Sequence, residues 1–294
     1  MSKAPGIQHS GSPLRSRPGI RVCRRDAVTV YVNKRLWPPE NIDPLFRLPR
    51  IVEDLTGFTS RSADRITVWN WQPDRVPEPG LVVRKFVHGG LLRNLTGGWF
   101  WGTERMRNEM RLGLDAVERG VPTCRPVALR TEHAMGPFYT GYYVTERIPN
   151  SLNLRDLCRD IQEGRRLAPQ SRRLIARQIA GAIADMHDAG LVHADLNLKN
   201  VLVRNPRSQP EAFVIDLDGA QMRQDVSLSH RLDNLVRLDR SVLKWPSSRK
   251  VITLQDRLRT WKVYLERYRE WAPHWKKYLR NRATRHLRHA LSRK

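Results

Sequence analysis

Within "LVHADLNLKNVLV", residues 191 to 203, the residues His193, Asp195 and Asn200 stand at fixed offsets between two apolar runs. Packing alone does not ask for that order. Asp195 and Asn200 fall in a loop between a helical segment and a β run, and Asp216 opens a second loop after the next β run. Folding the intervening hairpin back brings all three near one point. Two carboxylates and an amide oxygen so placed can hold a divalent cation while one carboxylate stays available to accept a proton, which is the requirement of phosphoryl transfer. Taken singly, each of these residues is what any turn uses to satisfy its backbone; the ordered set between matching elements is the signal.

The elements that must position this set are legible around it. In "SRRLIARQIAGAIADMHDAG" the apolar residues Leu174, Ile175, Ile179, Ala182, Ile183 and Met186 recur at helical spacing, and Gly190 ends the run. That helix delivers the chain into the Asp195 loop. "NVLV" and "AFVI" are short β runs joined by "RNPRSQPE", a turn composition, so a hairpin separates Asn200 from Asp216. Upstream, "AVTVYV", "RITVWNW" and "LVVRKFV" read as strands of a small antiparallel sheet, "TERMRNEMRLGLDAVERG" as a helix stopped by Gly120 and Pro122, and "GPFYTGYYVTERIP" as a strand leading into a connector. Residues 1–20, rich in Ser, Pro, Gly and basic residues without periodicity, read as a disordered tail. The expected organisation is α+β. Residues 21–147 form a small β-rich lobe carrying one helix, and residues 148–294 a larger, mainly helical lobe with basic C-terminal helices.

Composition narrows the setting. The 294 residues allow one large domain or two lobes. Lys and Arg total 53 against 29 Asp and Glu, a formal charge of +24, which attracts polyanions without choosing among nucleic acid, an acidic membrane surface or a phosphorylated glycolipid. Cys23, Cys124 and Cys158 form no C-x-x-C pair, so a reducing compartment is expected rather than a disulfide framework or zinc site. No apolar run is long enough to span a bilayer and no signal-peptide centre is evident, so membrane contact is expected to be peripheral. Nothing resembling an RNA-binding motif accompanies the nine Trp, and no nucleic acid partner is expected.

The pattern H-x-D-L-x-x-x-N followed by a strand and "VIDLDG" resembles the catalytic and metal-binding loops of protein-kinase-like phosphotransferases, and implies a bilobal protein-kinase-like fold with ATP and Mg²⁺ as cofactors. The resemblance makes Asp195 the base for the acceptor hydroxyl, Asn200 and Asp216 the Mg²⁺ ligands, and His193 a structural support. It also requires a small-lobe cation oriented by a helix carboxylate. "LVVRKF" offers Arg84 and Lys85, and "RNEM" offers Glu109. Neighbouring strand side chains point to opposite faces, so only one of the two cations reaches the phosphates. Comparison with V-A-I-K favours Lys85, alignment on the following Gly89-Gly90 favours Arg84, and both stay open at this point. The pattern departs at the glycine loop: no G-x-G-x-x-G precedes Lys85, and "TGFTSRSADR" offers only Gly57, with Ser60 and Ser62 as small polar substitutes.

No A-P-E segment follows the metal loop, and Asn197 stands where protein kinases usually carry Lys, which points away from a protein substrate. The segment from "KFVHGG" to "GVPTCRPVAL", with "LVHADLNLKNVLV", "FVIDLDGA" and "NLVRLDRSVLK" in the same order, resembles the lipopolysaccharide core kinases, the family that includes 3-deoxy-D-manno-octulosonic acid (Kdo) kinase. The likeness spans residues 80 to 245. It implies transfer of the ATP γ-phosphate to a sugar hydroxyl of a lipid A-linked core saccharide, Kdo or heptose, at the cytoplasmic face of the inner membrane. The tail "HWKKYLRNRATRHLRHALSRK", with Trp275, Tyr278, Leu279 and Leu287, suits an anionic membrane surface. The competing readings are a kinase-like enzyme with another acceptor (a protein Ser/Thr or a small molecule), a nucleic-acid binder on this scaffold, and a pseudokinase. Oligomeric state is not legible.

Overall fold

A computed structural model describes residues 14–38, 40–55, 57–58, 68–71, 80–87 and 98–271. These residues form two compact units: one holds residues 14–118 and 123–149, the other residues 119–122 and 150–271.

The first unit is built on an antiparallel sheet. Its strands are β1 (Ile20–Arg25), β2 (Val28–Asn33), β3 (Gly57–Phe58), β4 (Val68–Trp71), β5 (Leu81–Lys85), β6 (Phe100–Trp101), β7 (Pro126–Met135) and β8 (Phe138–Glu146). They lie in the order β1-β2-β7-β8-β5-β4-β3, with β6 pairing β8. Alternation along β2 shows why both faces need cover: Val30 and Val32 enter one apolar cluster and Tyr31 the other, all three fully buried. Helix α3 (Glu104–Glu118) covers the Tyr31 face through Met106, Met110 and Leu114. Two short helices, α1 (Asp43–Phe46) and α2 (Leu48–Asp54), cover the opposite face through Leu45, Leu48 and Val52. Composition did not signal them, because four and seven residues are too few for a helical period to register. Glycines let α3 approach closely: a Cβ on Gly141 of β8 would lie 2.5 Å from the Met106 sulfur, and one on Gly113 of α3 would lie 2.8 Å from the Tyr143 hydroxyl.

Part of the segment read as a disordered tail belongs to this unit. Residues 14–20 are ordered: Leu14 is buried among the α3-side apolar residues, and the Arg17 guanidinium meets Asp115 at 2.5 Å and Glu118 at 2.6 Å on α3. One leucine and one arginine supply the anchor, which average composition hides. Residues 1–13 lie outside the described residues.

The second unit carries β9 (Ser151–Asn153), α4 (Leu154–Gln162), α5 (Pro169–Asp188), β10 (Leu191–Val192), β11 (Val201–Arg204), β12 (Glu211–Val214), β13 (Gln221–Met222), α6 (Leu228–Lys244), α7 (Pro246–Val251) and α8 (Leu254–Glu266). The helices start where side chains satisfy their first amides: Asn153 accepts from Asp156 N–H, and Thr253 with Asp256 closes a capping box. Strands β11 and β12 form the expected hairpin, extended by β9, while β10 pairs β13. Among the described residues no helix is long and apolar enough to cross a membrane. Cys23, Cys124 and Cys158 are free thiols, and burial pushes Cys158 up to about 11.

Candidate active site

Helix α5 ends on Gly190, whose φ of +86° lies in the left-handed region, and a Cβ there would sit 2.2 Å from the Arg223 carbonyl oxygen. Glycine is required both by conformation and by space. The Gly190 carbonyl accepts from Arg223 N–H at 2.8 Å, continuing the β10–β13 ladder that clamps the two ends of the site together.

The loop that follows is held mainly by neutral groups, with one cation, Arg237, donating to the Ala194 carbonyl. His193 is buried; its Nδ1 accepts from Asp195 N–H at 3.0 Å, and its Nε2–H donates to the Ile215 carbonyl at 3.0 Å. This pair of bonds fixes the tautomer and ties the Asp195 loop to the residue before Asp216. Burial depresses the imidazole's basicity, so it stays uncharged. From the other side, Asn234 on α6 accepts from His193 N–H at 3.1 Å and donates to the His193 carbonyl at 2.7 Å. The same Asn234 oxygen takes a bond from His187 Nε2 at 3.1 Å, and His187 Nδ1 accepts from the Tyr264 hydroxyl at 2.7 Å. Burial lowers His187 to about 4.

Asp195 itself projects outward, its side chain 70% exposed. Asn197 Nδ2 donates to Asp195 Oδ2 at 2.9 Å, and Arg237, half-exposed, stands 3.8 Å from the other oxygen. Asn200 Nδ2 donates to the Asp195 carbonyl at 2.8 Å, so the oxygen of that amide is the end turned to a cation. The Asn200 carbonyl accepts from Ile215 N–H at 2.9 Å, which sets Asp216, in the loop after β12, beside the loop that carries Asn200. Asp216 has φ +62°, a left-handed conformation that Asp tolerates better than most residues. Three residues on, at Gly219, a Cβ would touch the Ala194 Cβ at 3.4 Å. Asp195, Asn200 and Asp216 are thus carried by loops bonded directly to one another. The hard oxygens of Asn200 and Asp216 fit a small divalent cation shared with phosphate oxygens. A dense cage is another matter: among the described residues no group of three or more His, Cys, Asp or Glu is gathered for a metal.

In the strand-rich unit, β5 separates its two cations. Arg84 turns to the α3 face, where its Nη2 bonds the Glu109 carboxylate, and its guanidinium lies over the Phe86 and Tyr143 rings. The Glu109 side chain is 3% exposed. Lys85 faces the other way, with Leu81 and Val83, its ammonium 6.0 Å from the Tyr142 ring centre. Gly57 lies in β3, opposite Trp69 of β4. Ser60, Ser62, Gly89, Gly90 and the tail residues Trp275, Tyr278, Leu279 and Leu287 lie outside the described residues.

Sequence reasoning missed the residues that hold the loop. Asn234, Asn197 and Ser241, whose hydroxyl accepts from Leu198 N–H at 3.2 Å, were not singled out as supports. Asn234 left a readable trace: it is a polar residue one turn from Leu238 on the apolar stripe of α6.

Residues 62–268 match the model of the lipopolysaccharide kinase (Kdo/WaaP) family. The chain belongs to that family. It is a phosphotransferase with an alcohol group as acceptor and a kinase-like fold. A 3-deoxy-D-manno-octulosonic acid kinase of Vibrio parahaemolyticus is 31% identical over 190 residues, 63% of this chain and 73% of that protein. The enzyme of the same name from Vibrio cholerae is 34% identical over 166 residues, 55% of this chain and 65% of its own length. One from Photobacterium profundum is 28% identical over 230 residues, 75% of this chain and 90% of its own. The solved structure of WaaP in complex with acyl carrier protein aligns with TM-score 0.52 and 24% identity, over 81% of this chain and 92% of that one, a likeness of fold.

Proposed function

We propose that this kinase transfers the γ-phosphate of ATP, with Mg²⁺, to a sugar hydroxyl of the lipopolysaccharide inner core, Kdo or heptose carried on lipid A. The observation that carries the reading is the exposed Asp195 carboxylate, held by a neutral amide beside the loop of Asn200 and Asp216. Asp195 accepts the proton of the acceptor hydroxyl as its oxygen bonds to phosphorus and ADP departs. Asn200 and Asp216 hold Mg²⁺, and a cation there supplies neutralisation of charge on the phosphate oxygens. Arg84, oriented by Glu109, binds the nucleotide phosphates. Its fork suits phosphate oxygens bidentately. In this reading Lys85 makes no phosphate contact, and Gly57 lies in the turn region over the nucleotide. The charge of +24 favours a peripheral position on an anionic leaflet, the cytoplasmic face of the inner membrane.

Labelled ATP, Mg²⁺ and purified Kdo–lipid A test this directly against a casein-like protein acceptor. The expected product is labelled glycolipid, lost in Asp216→Ala together with Mg²⁺-dependent ATP affinity. Label on the protein acceptor alone, or full activity of Asp216→Ala, overturns the assignment.

A further inference from the structure

Three cations gather around one indole next to the Asp195 loop, and nothing in the roles above uses them. The Arg155 guanidinium, at the start of α4, stacks on Trp245 with its carbon 3.9 Å from the ring centre. Lys199, the residue before Asn200, places its ammonium 5.4 Å from the same centre, and Lys244, the last residue of α6, places its own at 5.7 Å. The cluster is therefore built from the catalytic loop and from the helix whose Asn234 anchors that loop.

A purely structural cluster would be expected to neutralise its buried member. Arg155 is only 9% exposed, and its Nη1 is enclosed without a hydrogen-bond partner. The neighbouring acid, Asp156, is engaged by Asn153 at 2.7 Å and by Arg159 at 3.4 Å. Asp156, shared with Arg159, offsets the buried guanidinium only in part, and a charge so placed is stabilised by an arriving anion. Stacking on the indole makes the arrangement rigid: the planar guanidinium is fixed over the ring, and the lysine stems reach its rim.

We infer that Arg155, Lys199, Lys244 and Trp245 form an anion subsite for the acceptor, receiving an acidic group, phosphate or carboxylate, carried by the glycolipid near the hydroxyl to be phosphorylated. Lys199 and Lys244 contact the anion, and Arg155 supplies the fixed field behind them. The inference rests on the proposed glycolipid reading and adds a determinant of specificity: neutral sugars with the same hydroxyl are poor acceptors. Placing the subsite one residue from Asn200 also couples recognition of the acid to the geometry of the loop.

The test uses the full chain with Lys199→Gln and Lys244→Gln, singly and together, since both side chains reach the indole's rim and their loss opens no cavity. With Kdo–lipid A in neutral detergent, the double variant is expected to raise the acceptor KM by about tenfold to a hundredfold, while kcat and the KM for ATP stay within about threefold. In an Arg84→Met, Glu109→Gln background, calorimetric titration with inorganic phosphate is expected to detect binding that the double substitution of Lys199 and Lys244 removes. An unchanged acceptor KM with unchanged phosphate binding overturns the subsite and leaves a solvated basic face. A KM effect that appears only when anionic phospholipid vesicles are added assigns the charge to membrane headgroups and overturns the acceptor assignment. If the parent chain transfers nothing to the glycolipid, the proposed function fails, and the phosphate titration still decides whether the cluster binds an anion.

Discussion

The strand-rich unit joins its chemical groups as opposite charges, Arg84 to a buried Glu109, whereas the helical unit holds Asp195 with amides and uncharged imidazoles. On the proposed roles, the difference follows from what each group would do. A phosphate-binding cation is improved by a carboxylate that fixes its direction, and the pair can be desolvated because the two charges offset each other. A proton acceptor is spoiled by the same treatment, since a close cation would hold its carboxylate in the ionised form and reduce its basicity. Asp195 is accordingly oriented by the neutral Asn197, while the half-exposed Arg237 donates to the Ala194 carbonyl and stands 3.8 Å from the Asp195 carboxylate, where the attraction is weak.

The largest effect is expected from breaking the neutral side. Asp195→Asn preserves the loop's shape and the bond from His193 to its backbone amide, yet removes the proton acceptor. Turnover is expected to fall by roughly two to four powers of ten, with ATP affinity and melting temperature near those of the parent. Melting, nucleotide affinity and transfer measured on one preparation check it; transfer close to the parent rate would remove the base role from Asp195.

The charged side breaks differently. Arg84→Met takes the guanidinium away from the buried Glu109 carboxylate, so both stability and function are expected to suffer: about 3 kcal/mol of unfolding free energy and a large loss of ATP affinity. Arg84→Met with Glu109→Gln should recover most of the stability and none of the affinity, because the buried charge is gone while the proposed phosphate ligand is still missing. Lys85→Met, on the opposite face of β5, is expected to change ATP affinity by less than about threefold. Denaturant unfolding and nucleotide titration of the four proteins settle which cation matters; a larger affinity loss from Lys85 than from Arg84 would reverse the assignment.

The same contrast explains what could be read from the sequence. Asp195, Asn200 and Asp216 sit in a short stretch, between a periodic helix and a hairpin with an unmistakable turn, so local pattern placed them on adjoining loops. Arg84 and Lys85 are sequence neighbours whose roles depend on strand parity, and parity is set by pairing with β8, a partner far along the chain. Two references give two answers, and the side-chain directions on β5 put Arg84 rather than Lys85 against Glu109. The role of Asn234 was only half legible, for a further reason. A buried asparagine on an apolar helix stripe announces that something polar meets it, but not that it meets both backbone groups of His193. The short helices α1 and α2 are dictated by the uncovered sheet face rather than by any periodicity of their own.

A smaller effect sharpens the comparison through pH. His187 and His193 are kept neutral by burial, His187 lowered from 6.5 to about 4 and His193 lowered as well. In the unfolded chain both take up a proton near the ordinary histidine value, whereas in the fold they resist it, so between pH 6.5 and about 4 the unfolded state binds more protons. Stability from these residues is complete above pH 6.5 and is lost as pH falls toward 4, at about 1.4 kcal/mol per pH unit for each histidine that remains uncharged. The ion-paired carboxylates Asp188 and Asp256 are also lowered, from a starting value of 3.8, so their losses come at lower pH still and do not mimic this limb. His187→Gln keeps a polar side chain between Tyr264 and Asn234 but cannot titrate. Urea midpoints from pH 7 to 4.5 are expected to show a shallower acid slope in His187→Gln than in the parent, by up to one proton. Equal slopes in the two proteins would mean that the neutral scaffold behind Asp195 is not what acid dismantles first.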